Sequence, residues 1–147
     1  MSQIKALTHI GITVQDLERS VKFYCENFDM VYRRGAQFGE PFFEKNKSLY
    51  QLENITCKTA VLDIPGGSQL ELFQFSDNQP QEEVPWNRAG ITHIALETDD
   101  VQALSEKLRA NGVVFCIDVG TRPDNGHWVF VRDPDANLIE VMEPFNM

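Results

Sequence analysis

The sequence predicts an α+β fold made from two copies of one strand–helix–strands unit, and three observations carry that expectation. THIGITVQDLERS begins at Thr8 and THIALETDDVQAL at Thr92, so adding 84 maps His9 onto His93. PGGSQLE from Pro65 and PDANLIE from Pro134 each run from a proline through a turn-forming cluster into a strand with a glutamate, at an offset of 69. At 147 residues, with 42% hydrophobic side chains, the chain has the length of one domain and enough apolar surface to build a core.

The elements follow in order. In HIGITV, His9, Gly11 and Thr13 alternate with Ile10, Ile12 and Val14, the period of a strand. Asp16 is placed to cap a helix over 16–28, on which Leu17, Val21, Tyr24 and Phe28 recur at helical spacing. The two offsets differ by about 15 residues, which places an insertion in the first copy. It falls within 33–56, read as a long loop with a strand or short helix inside it. In QLELFQF, Glu71 shares a strand face with Gln69 and Phe73, while Leu70 and Leu72 face away. SDNQPQEEVPWNRAG, residues 76–90, is polar, carries two prolines and reads as a linker. In the second copy His93 and Ala95 share a face, Asp99 or Asp100 caps a helix over 99–110 carrying Val101, Leu104 and Leu108, and Asn111-Gly112 stops it. In NLIEVME, Glu140 shares a face with Leu138 and Met142, opposite Ile139 and Val141. The boundaries are thus about 5–76 for the first module, about 77–90 for the linker and about 91–145 for the second. Neither module alone buries much, so one domain over 1–147 is expected.

Composition removes several classes of function. A net charge of -9, with 22 acidic against 13 basic residues, opposes non-specific nucleic-acid binding, which works by neutralising phosphates. No run of 18 apolar residues reads as a membrane span. The N-terminal residues lack the basic flank, apolar stretch and small-residue cleavage site of a secretory leader, so the cytoplasm is the expected location. Cys25, Cys57 and Cys116 are scattered and form neither a disulfide framework nor a CxxC pair; reduced structural thiols are expected.

The repeat sets four ionisable residues, His9, Glu71, His93 and Glu140, on strand faces turned away from the branched aliphatic side chains. A lone strand histidine is more often a hydrogen-bonded core residue, and a lone strand glutamate more often solvated. Here the same residue type recurs at the equivalent position of both copies. Enclosed carboxylates are costly unless paired or bound to a cation, and imidazole with carboxylate suits a first-row divalent metal.

HIGITVQDLERSVKFY, GITHIALETDDVQAL and VFVRDPDANLIEVMEP each resemble the pattern of the vicinal oxygen chelate superfamily, and the likeness covers nearly the whole chain. That family includes glyoxalase I, methylmalonyl-CoA epimerase, fosfomycin-resistance enzymes, extradiol dioxygenases and bleomycin-binding proteins. The resemblance implies two pseudo-symmetric βαβββ modules forming a cupped mixed sheet. It matches His9, Glu71, His93 and Glu140 to the four metal positions of glyoxalase I, with zinc, nickel, cobalt, iron or manganese as the cofactor. It implies a lyase or isomerase that transfers a proton next to a substrate carbonyl through a metal-stabilised enediolate, Glu71 or Glu140 being the base. Three alternatives stand beside it: an epimerase of a 2-methyl-branched acyl-CoA, a small iron-dependent dioxygenase, and a non-catalytic binder of bleomycin-resistance type. A homodimer acting on a small molecule is the family expectation.

Two departures from the family pattern concern backbone geometry, Asp29 and Ala136 standing where glycine is usual. For substrate binding the candidates are Arg122, Trp128 and Phe73. Arg33, Arg34, Lys45, Lys47 and Arg88 are further cationic handles for glutathione or coenzyme A, and Phe38, Phe42, Phe43 and Trp86 further apolar lining. TRPDNGHWVF is a candidate substrate loop, with His127 as an extra acid or base.

Overall fold

The computed structural model describes residues 1–146, which divide into two compact units, Met1–Pro80 and a second that begins at Gln81. Each is a mixed sheet with one long helix, so the α+β expectation holds.

In the first unit β1 (His9–Thr13) leads through Asp16 into α1 (Leu17–Phe28). The Asp16 carboxylate accepts from the Arg19 amide and satisfies one of the open donors of the first turn. Asp29 ends the helix in the left-handed region at φ 54°, the conformation that favours glycine. Next come β2 (Val31–Phe38), two short helices, α2 (Glu40–Lys45) and α3 (Lys47–Tyr50), then β3 (Cys57–Asp63) and β4 (Gln69–Phe75). The sheet order is β1-β4-β3-β2, with β1 parallel to β4 and the other pairs antiparallel. Residues 33–56, expected as a loop holding one element, therefore contain most of a strand and two helices. Pro41 in the first turn of α2, where no amide hydrogen bond is lost, fixes where that helix starts.

One face of this sheet carries Leu70 and Leu72 on β4 opposite Leu62 and Ala60 on β3, all fully or nearly fully buried. Tyr24 and Phe28 of α1 are buried with them, and α1 packs on β3 and β4. Burying each large apolar side chain contributes about 1.5–3 kcal/mol, which fixes which face is the core. Glu71 therefore has to point to the other face.

The second unit repeats the plan. β5 (His93–Glu97) is followed by α4 (Val101–Ala110), with Asp100 as the cap accepting from the Ala103 amide. β6 (Val114–Phe115), β7 (Gly120–Thr121), β8 (His127–Arg132) and β9 (Leu138–Met142) complete it. β5 is parallel to β9, and β8 pairs antiparallel with β9. The motif pattern gives eight strands in all; the described residues form nine. The extra one arises because β6 and β7 both pair with β8, so one edge strand is interrupted at 116–119. Ile139 and Val141 are buried on β9 between Glu140 and its neighbours, as on β4. Ala136, in the turn before β9, is left-handed at φ 66°, again a conformation suited to glycine.

The registers confirm the repeat. His9 pairs with Gln69 and Gly11 with Glu71; His93 pairs with Leu138 and Ala95 with Glu140. The offsets of 84 and 69 found in the sequence are thus offsets between equivalent strands.

Candidate functional site

In each unit the parallel register sets the histidine one diagonal step from the glutamate on the neighbouring strand, within side-chain reach. A small residue, Gly11 or Ala95, lies directly across from the glutamate and leaves the carboxylate room to lean toward the imidazole. His9 Nε2 is 3.2 Å from Glu71 Oε2, and His93 Nε2 is 3.1 Å from Glu140 Oε2. The other ring nitrogen is engaged in the same way in both units: Nδ1 lies 3.0 Å from Thr8 Oγ1 and 2.8 Å from Thr92 Oγ1. The side chains of His93 and Glu140 are 26% and 21% exposed, those of His9 and Glu71 49% and 27%, so the pairs meet solvent and are not core contacts.

The geometry suits a cation. With the proton on Nδ1, the threonine hydroxyl accepts it and Nε2 offers a lone pair beside a carboxylate oxygen. Two donors bound at about 2.1 Å to one ion, at angles between octahedral and tetrahedral, lie about 3.0–3.4 Å apart, and both pairs fall in that interval. Without an ion, an Nε2–H donating to the carboxylate satisfies the same contact. Among the described residues no three His, Cys, Asp or Glu side chains converge to hold a metal; the His9–Glu71 pair lies in the first unit and the His93–Glu140 pair in the second.

The first unit also holds a cavity of about 350 Å³ whose polar end is His9 and Glu71. Phe38, Phe42 and Tyr50 line it, with Phe38 and Phe42 ring centroids 4.6 Å apart. Phe73 and Phe75 lie nearly parallel, at 8°, along β4. Gly11 seats Phe73: a side chain there would bring its Cβ within 3.2 Å of the ring. Phe43 and Cys57 close the base, and burial pushes the Cys57 thiol up to about 11, so it stays neutral. In the second unit His93 is packed by Trp86 and Phe130, and Trp128 lies edge-on to Phe130.

Other candidates are engaged in contacts of their own, and Arg122 lies within electrostatic reach of Glu140. Arg122 donates to both carboxylate oxygens of Asp124 and to the Glu143 and Pro144 carbonyls, and its guanidinium lies over Phe145. That side chain closes the 122–126 turn onto the C-terminal strand's exit, so TRPDNGHWVF is a braced turn. His127 Nδ1 lies 3.1 Å from Glu143 Oε2, and Glu143 also accepts from the His127 and Val101 amides. Arg33 is bound by Asp63 and Lys47 by Glu53. No lysine or arginine lines the cavity. Thr8 and Thr92 were legible as part of the repeated Thr-His-Ile, but their role is set by ring orientation; Tyr50 and Phe75 gave no signal in a sequence rich in aromatics.

A sequence model of the Glyoxalase/Bleomycin resistance protein/Dioxygenase superfamily matches residues 6–141. The chain belongs to that superfamily. Lactoylglutathione lyase of Pseudomonas putida is 28% identical, covering 92% of this chain and 83% of its own. The 2-epi-5-epi-valiolone epimerase of an Actinomyces species is 26% identical, over 93% and 78%. A glyoxalase family protein from Bacillus cereus has the same fold, with a TM-score of 0.80 at 19% identity over 99% of both chains. Members of the glyoxalase superfamily so close in fold and so distant in sequence share architecture; their reactions differ. No helix among the described residues is long and apolar enough to cross a membrane.

Proposed function

We propose that this chain is a divalent-metal-dependent lyase or isomerase of glyoxalase I type, which moves a proton next to the carbonyl of a small-molecule substrate. The observation that carries the reading is the duplicated Thr–His–Glu arrangement, with the same contacts at the same register in both units. His9 with Glu71 in the first unit, and His93 with Glu140 in the second, are the residues that would hold a divalent ion. When bound, a divalent ion lowers the cost of the negative charge that develops on the substrate oxygen. The protein residues do the rest. Glu71 lines the cavity, which supports it over Glu140 as the base that takes the carbon-bound proton. Thr8 engages Nδ1 of His9, which supports a ring orientation with Nε2 turned toward Glu71. The proton then returns to the substrate at the neighbouring carbon or on the other face. The same reading makes the protein a homodimer, and the edge strand β2, which leaves Val31 and Tyr32 exposed, is a surface suited to a second copy.

Two measurements test it. Elemental analysis after expression in metal-supplemented medium should find bound zinc, nickel, cobalt, iron or manganese, sharply reduced in His93→Ala. The loaded protein should exchange the α-proton of 2-hydroxy or 2-oxo carbonyl compounds in heavy water. A protein that binds no metal and exchanges nothing is a binder, and one whose turnover requires ferrous iron and dioxygen is a dioxygenase; either result overturns the proposal.

A further inference from the structure

We infer that the substrate carries an uncharged aryl group, which the first unit's cavity receives, with the reacting carbon at the His9–Glu71 end. This rests on the proton-transfer reading and names its substrate class. The inserted residues of the first copy, the break in the repeat, fold as α2 and α3 and bring Phe42, Phe43 and Tyr50 over the sheet face that carries Glu71. The departure from symmetry is therefore what builds the cavity.

Size, charge and shape each restrict the occupant. About 350 Å³ exceeds the roughly 150 Å³ that suffices for benzene in an apolar protein cavity. A substituted benzene with a carbonyl side chain fits. Charge excludes the anionic handles of glutathione and coenzyme A from this space: no lysine or arginine lines it, Cys57 is neutral, and Glu71 would repel a carboxylate or phosphate. Shape favours a flat guest. Phe38, Phe42, Phe73 and Phe75 all line the cavity, and the Phe73 and Phe75 rings are nearly parallel, at 8°, so the lining offers ring faces and edges of the kind that aromatic guests pack on.

The test uses the full-length, metal-supplemented protein and three methyl ketones: acetophenone, cyclohexyl methyl ketone and 4-acetylbenzoate, which adds a charge at the far end of the ring. Binding is followed by ligand-observed NMR titration. Acetophenone should bind about tenfold or more tighter than 4-acetylbenzoate, and measurably tighter than the cyclohexyl ketone. Phe42→Ala should weaken acetophenone about tenfold. Phe42→Leu retains apolar volume, so it should keep the cyclohexyl ketone and lose the aryl preference. Val114→Ala, at an exposed position on β6, should change neither. Equal affinity for the charged and uncharged ketones, or an unaltered preference in Phe42→Leu, overturns the inference. Deuterium uptake into the acetophenone methyl group is read in the same tubes. Aryl-selective binding without uptake retains the aryl site and sinks the proton-transfer reading; uptake without aryl preference does the reverse.

Discussion

Glu71→Gln should separate turnover from stability. The carboxamide has the shape of the carboxylate and keeps an oxygen, and the flanking Gly11 and Val61 need not move. What is lost from the fold is an ion pair whose partners are 49% and 27% exposed, and pairs so wetted contribute about 0.2–1 kcal/mol. Unfolding free energy should therefore fall by less than about 1 kcal/mol. What would be lost from the proposed reaction is the base at the polar end of the aromatic-lined cavity, a role worth about 10²–10⁴ in rate. At 1.36 kcal/mol per decade that is about 2.7–5.4 kcal/mol of barrier, several times the stability change. Urea titration gives the first quantity and α-proton exchange in heavy water, followed by NMR, the second. Exchange at the wild-type rate would falsify the assignment of Glu71 as the base. A rate loss matched by an equal loss of folding free energy would show that the residue acts through the fold.

Other expected outcomes follow from the same structure. Stripping metal from the loaded protein should lower its melting temperature; with free ion at a hundredfold excess over Kd, binding to the native state contributes about 2.7 kcal/mol. Leu72→Ala, at a fully buried site between α1 and the sheet, should cost about 2–5 kcal/mol in denaturant titrations. Ala136→Gly should stabilise by about 1 kcal/mol, because a left-handed residue at φ 66° is strained with a Cβ and relaxed without one. The Arg122 guanidinium holds the Asp124 carboxyl well below the usual carboxylate range, and the His127 and Val101 amides lower Glu143 in the same direction. Depressed folded-state values mean that this stability is present above about pH 4 and disappears as pH falls further, so the urea midpoint should drop with acidification and drop less steeply in Asp124→Asn.

The repeat, both long helices and their caps, and the face on which each histidine and glutamate lies were all legible in the sequence. They depend on local rules: the two-residue period of strands, the 3.6-residue period of helices, and an aspartate that accepts from the first-turn amides at Asp16 and Asp100. Even the glycine-favouring turns at Asp29 and Ala136 were marked, because they interrupt a known pattern and both take positive φ. The interrupted edge strand was not legible, since two-residue strands such as β6 and β7 are too short to show a period. Nor was the use of the charged side chains. Arg122 was read as a candidate substrate handle, and only the structure shows that it is also held by Asp124 and two carbonyls.

The sequence alone determined that the chain is built twice over and that each copy carries a histidine and a glutamate on one sheet face, since a period of two fixes the face whatever packs against it. Only the tertiary structure decided that Thr8 and Thr92 engage the imidazoles, that each Nε2 meets a carboxylate, and that the insertion walls a cavity with aromatic rings. Those are distances between residues far apart in the chain or between freely rotating side chains, and packing of the whole unit selects them.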